Sequence, residues 1–111
     1  MDSIAKWESE IENYRQTARR RRVEAEQQRQ QLLKQAWKVA HKAADLLRER
    51  FSAQRVAAFG SLVHPGRFHT RSDVDLAAWD LDEQDYLRAV AAVTGSDREI
   101  SLDLIPVEEA P

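Results

Sequence analysis

The chain opens with fifty residues that contain neither glycine nor proline, and this constrains its fold more than any other feature. The stretch is rich in Ala, Glu, Gln, Lys, Arg and Leu, which lose little on entering a helix. A helix is therefore expected from the amino terminus, with Asp2 or Ser3 able to cap it. Ile4, Trp7, Ile11, Tyr14 and Ala18 recur at three- and four-residue steps and share one stripe. Leu32, Leu33, Ala36, Trp37, Ala40, Ala43, Ala44, Leu47 and Phe51 form a second stripe. Between the two, Arg19 to Gln31 offers only Val23 and Ala25 as apolar residues, so that stretch has little to bury. The expectation is two helical halves, continuous or hinged. Residues 1–31 form an amino-terminal helical extension, and the half from residue 32 packs on a domain covering residues 32–111.

From Arg55 the periodicity changes. Val56-Ala57-Ala58-Phe59 is a short apolar run ending at Gly60-Ser61, as a buried strand entering a tight turn would. Residues 62–72 contain Pro65 and Gly66 and read as a loop with one helical turn at most. Asp73 to Trp79 starts by alternating polar and apolar residues, which suits a strand. Asp82 to Thr94 reads as a helix capped by Asp82 and ended by Gly95, with Tyr86, Leu87, Val90 and Val93 as its apolar stripe. Glu99 to Val107 reads as a third strand, with Ile100, Leu102 and Leu104 facing away from Ser101, Asp103 and Ile105. The expected fold is α/β (α+β), a small mixed sheet preceded by a long amino-terminal helix.

The 111 residues allow one small domain and little more, and such a domain is often completed by a partner. There is no cysteine, which removes disulfides and thiolate metal sites. No apolar run is long enough to span a bilayer and no signal-peptide core is evident, so the expected location is the cytoplasm. Net charge is −2, but residues 1–72 carry 15 basic and 8 acidic side chains, while residues 73–111 carry 2 and 11. A triphosphate with its divalent cation would suit that asymmetry, although two solvated faces of opposite sign explain it more simply. The run Arg19–Arg22 could grip nucleic acid, but no aromatic residue interleaves it and Glu24 and Glu26 follow. A solvated helix face is the preferred account, and nucleic acid is not an expected partner.

The feature that carries chemistry is Phe59-Gly60-Ser61, then Ser72-Asp73-Val74-Asp75-Leu76, then Leu102-Asp103-Leu104. Residues two apart on a strand point the same way, so Asp73 and Asp75 present their carboxylates side by side. Bare carboxylates that close repel each other, and a cation resolves the conflict. Asp103 could add an oxygen ligand from a neighbouring strand, and an all-oxygen donor set suits Mg2+ or Mn2+. Gly60 lets the backbone approach a phosphate, Ser61 adds a hydroxyl donor, and Arg67 and Arg71, with His64 and His69, could neutralise phosphate charge. Taken singly, each piece has an ordinary explanation. A Gly-Ser pair after a strand is usually a turn, Asp-x-Asp is usually a solvated strand end, and His41, among apolar residues on a helix, reads as a boundary histidine in preference to a ligand.

In this order, Gly60-Ser61, the loop and Asp73-Val74-Asp75-Leu76 resemble the signature of the polymerase-beta-like nucleotidyltransferases, specifically the minimal nucleotidyltransferase (MNT) group, over roughly residues 32–107. The resemblance implies a mixed-sheet core in which Gly60 and Ser61 hold the triphosphate of ATP, with Ser72, Arg67 and Arg71 grouped with them. Asp73 and Asp75 would bind the metals, and Asp103 would be the third carboxylate, a metal ligand or the base for the acceptor hydroxyl. It further implies an antitoxin that moves AMP from ATP onto a tyrosine of a HEPN ribonuclease toxin. The chain departs from the family in carrying Leu62-Val63-His64-Pro65 where an arginine commonly follows Gly-Ser. It also stops at Pro111, where members continue, and its long amino-terminal helix lies outside the minimal domain. A role of a different class is a catalytically idle MNT fold that binds a partner, or a second copy of itself, through Trp7, Ile11, Tyr14 and Trp37.

Overall fold

A computed structural model of the chain describes residues 2–64 and 66–108, with side chains from Trp7 onward. The side chains of Asp2, Ser3 and Ile4, read above as helix cap and start of the stripe, lie outside the described residues, as does Pro65. The elements are α1 (Asp2–Phe51), β1 (Arg55–Phe59), a 3-10 turn (Gly60–Val63), β2 (Val74–Trp79), a 3-10 turn (Glu83–Asp85), α2 (Tyr86–Thr94) and β3 (Leu102–Val107). The fold is mixed α/β. Two compact units divide the chain, Met1–Gln31 and Leu32–Pro111. No helix among the described residues is long and apolar enough to cross a membrane.

The first unit is helix alone. Its stripe is in water, with Trp7 65%, Ile11 48% and Tyr14 76% exposed. Polar neighbours support each other along the helix, as where Arg29 donates to both carboxylate oxygens of Glu26 at 3.0 and 2.7 Å. The helix has no interruption between Asp2 and Phe51.

The second unit contains the core. From residue 32 the small residues of α1 let the helix approach closely: Ala36, Val39, Ala40, Ala43, Ala44 and Leu47 are buried. The helix ends at Phe51 because Ser52 adopts a left-handed φ of 57°. The Ala53 amide then donates back to the Leu47 carbonyl at 3.1 Å, occupying an otherwise orphaned acceptor. Gln54 N–H bonds the Trp79 carbonyl at 3.0 Å and carries the chain into the sheet.

The sheet has the order β1-β2-β3, with β1 antiparallel and β3 parallel to β2. The parallel pair needs a crossover, and α2 supplies it. Alternation puts Val56, Ala58, Val74, Leu76, Ala78, Leu102 and Leu104 on one face, where they join the core with α1 and α2. The opposite face carries Ala57, Phe59, Asp75, Ala77, Trp79, Asp103 and Ile105, and it is open to water at Phe59, Asp103 and Ile105 while Trp79 is buried. Leu62 and Phe68, 2% and 1% exposed, pin the connection between β1 and β2 into the core.

Several boundaries differ from the sequence expectation. β2 begins at Val74 and β3 at Leu102, so Asp73 and Ser101 sit just ahead of their strands. Ile100 is buried before the ladder starts, held by a turn in which Asp97 accepts from the Glu99 and Ile100 amides. The segment after Asp82 opens as a 3-10 turn, with the Asp82 carboxylate accepting from the Gln84 amide at 3.2 Å. Leu87 is 77% exposed and Ala89 is fully buried in its stead. The smaller side chain fits where the short helix presses against the sheet. Phe68→Ala should lower unfolding stability in urea by about 3–5 kcal/mol, the usual effect of emptying a buried phenylalanine site. Val63→Ala, on the same connection but 39% exposed, should change it by under about 1 kcal/mol.

Candidate active site

β2 and β3 build the acidic centre. In their parallel ladder Asp75 lies directly opposite Asp103, between Val74↔Leu102 and Leu76↔Leu104. Neighbouring strands run about 4.8 Å apart, so two carboxylates in register can reach a common cation. Asp73 stands two residues ahead of Asp75, at the mouth of β2. The start of the ladder is fixed by the Val74 amide, which donates to the Ser101 carbonyl at 2.8 Å. Asp75 is half-buried, whereas Asp73 and Asp103 are exposed. Burial raises the Asp75 pKa above its ordinary value, and the charges of Asp103 and then Asp73 push it further the same way. Asp103 and Asp73 thus both stand close enough for their charge to act on Asp75.

β1 brings the glycine to the same place. Phe59 pairs with Asp75 across the antiparallel ladder, and Gly60 follows with a φ of 72°. A methyl group built on Gly60 would sit 2.5 Å from Asp75 Oδ2. Only glycine tolerates both the backbone conformation and that contact. The bend therefore rests directly against the carboxylate. Ser61 is half-buried in the 3-10 turn that follows, its carbonyl accepting from the His64 amide at 3.2 Å, and Leu62 anchors the turn.

The remaining candidates lie on the connection that leads into Asp73. Ser72 Oγ accepts from the His69 amide at 3.0 Å, and the Ser72 amide donates to the His69 carbonyl at 2.9 Å. His69 Nδ1 accepts from the Arg71 amide at 3.1 Å. These bonds shape the turn immediately before the first aspartate, a positioning task that the sequence pattern does not reveal. The hydroxyl hydrogen of Ser72 remains available as a donor. Arg67 and Arg71 are exposed, and neither enters an ion pair among the described residues.

Three or more acidic or imidazole side chains do not converge into a ready-made metal cage among the described residues. The donor set is all oxygen and therefore fits a hard divalent cation.

One feature of the site escaped the sequence reading. Ala57, Ala77 and Ile105 are in register across the three strands, so the open face continues from the aspartates as an apolar shelf, with Ile105 47% and Phe59 36% exposed. At its far end the Arg55 guanidinium lies 4.8 Å from the Trp79 ring centroid. The strand register would have revealed the shelf, but pairing is not visible in a single sequence. No protein-family model, curated protein or solved structure matches the chain.

Two outcomes follow from this geometry. Gly60→Ala should displace Asp75, lowering stability by about 1–3 kcal/mol. For Asp75, the folded state binds the carboxyl proton more tightly than the unfolded state does. Its contribution is therefore largest at acidic pH and is lost as pH rises from the ordinary carboxylate value of 3.8 through the raised native one. Asp75→Asn should raise the melting temperature at neutral pH and flatten the pH dependence over that window, both read by scanning calorimetry.

Proposed function

We propose that the second unit is a nucleotidyltransferase of the MNT type that moves a nucleoside monophosphate, AMP from ATP, onto a protein hydroxyl. The observation that carries this reading is the register of Asp75 with Asp103, with Asp73 alongside and Gly60 against Asp75. Asp73, Asp75 and Asp103 would hold Mg2+ or Mn2+, which when bound supplies positive charge to the phosphates and to the developing charge of the displacement. The Gly60 and Ser61 amides and the Ser61 hydroxyl donate to phosphate oxygens, with Arg67 and Arg71 adding charge from the adjoining connection. Asp103, exposed beside the shelf, would act either as a ligand of that cation or as the base that takes the proton of the acceptor hydroxyl. The hydroxyl oxygen forms its bond to the α-phosphorus, the α–β bridging bond breaks, and pyrophosphate leaves.

The exposed Ile105 and Phe59 of the shelf beside Asp103 favour an acceptor that brings its own surface. A tyrosine of a HEPN ribonuclease toxin, with this chain as its cytoplasmic antitoxin, meets that need. The exposed Trp7 and Tyr14 support a second reading, neutralisation or scaffolding by binding alone, and the two roles are compatible. With ATP labelled at the α-phosphate, Asp73→Asn should reduce transfer to the partner by at least roughly 100-fold, as loss of a metal-held phosphoryl clamp does. Undiminished transfer would remove the metal assignment. Toxin neutralisation that survives loss of all three aspartates would instead favour the binding role.

A further inference from the structure

The first unit is a single helix whose apolar stripe is in water. Helices of this kind draw most of their stability from burying such a stripe, and nothing within the unit buries it. In the sequence, Ile11, Ala18 and Ala25 recur every seven residues, and Trp7, Tyr14 and Arg21 recur at the same interval between them. This is the first-and-fourth-position pattern of a two-helix seam. Charge is unevenly distributed along the same segment: Glu8, Glu10 and Glu12 precede Arg15 and Arg19–Arg22.

We infer that residues 7–22 pair with the same segment of a second copy of this chain, running antiparallel. In that alignment Trp7 of each copy faces Ala18 of the other, and Ile11 faces Tyr14. Each layer then matches a large side chain with a smaller one, the condition for close packing. Glu8 of each copy flanks Arg15 of the other, so two equivalent ion pairs border the seam. Glu8, Glu10 and Glu12 of one helix thus lie opposite residues 13–17 of its neighbour, among which Arg15 is the one charged residue. A parallel pair would set Arg19–Arg22 against an identical run, with Arg21 in the seam, and would stack Trp7 on Trp7. The Arg21–Arg21 contact of a parallel pair and the side-chain volumes select the antiparallel arrangement, which does not depend on the catalytic reading of the second unit.

Sedimentation of the full chain should show a monomer–dimer equilibrium with a dissociation constant on the order of 10 μM. Glu8→Arg, which turns both flanking pairs repulsive, should weaken it roughly tenfold. Adding Arg15→Glu to that variant should restore the affinity, an outcome that a merely destabilised helix would not produce. The absence of native cysteine makes orientation directly readable. A mixture of Trp7→Cys and Ala18→Cys chains should oxidise to the mixed disulfide. Either variant alone should stay reduced, because like positions lie about 16 Å apart along an antiparallel pair. A monomer throughout the concentration range, failure of the double charge swap to restore dimerisation, or self-bridging of Trp7→Cys would overturn the inference.

Discussion

The side-by-side register of β2 and β3 is the constraint on which the second unit depends, and the core enforces it. Val74, Leu76 and Ala78 alternate with Asp75 and Ala77, while Leu102 and Leu104 alternate with Asp103 and Ile105. A slip of one residue in either strand would drive an aspartate into the apolar layer beneath α1 and α2 and expose leucine in its place. Burying an unpaired carboxylate costs far more than the strand pairing gains. The hydrophobic pattern that folds the sheet therefore also sets one aspartate beside the other.

That arrangement places like charges together, and the protein tolerates them by position. Asp73 and Asp103 keep access to water, so their charges are screened. Asp75 has less solvent, and its raised pKa records the consequence. Gly60 adds to the confinement by closing the backbone against Oδ2. A centre of this kind is less stable than the same sheet with neutral residues would be. Such local conflict is common where a protein binds a cation or an anion, because the ligand supplies the missing charge.

The first unit obeys different physics. The second unit buries alanines and leucines from residue 32 onward, whereas residues 7–31 contribute no member to the core. Their helicity rests on composition, with no glycine or proline, and on local pairs such as Glu26 with Arg29. The same helical periodicity thus produces a buried stripe in one unit and an exposed one in the other. The difference is whether a sheet is present to receive it.

Composition and periodicity alone determined the helix over the first fifty residues, three strands, a short second helix and the acidic residues of the candidate site. These are local properties: helix propensity, two-residue alternation and turn chemistry act within a few residues of chain. The strand boundaries were legible only to within about three residues, because Asp73, Ile100 and Ser101 look like strand in their local pattern but fall outside the ladder. The role of Ala89 in place of Leu87 could not be read, since both suit a helix and only the space left between α2 and the sheet separates them. Tertiary structure decided the rest. It set Asp103, twenty-eight residues from Asp75, directly across from it, turned Gly60 onto the same carboxylate, and left one face of the sheet open. Pairing between distant strands is fixed by which side chains fill a common core, and no stretch of sequence contains that information by itself.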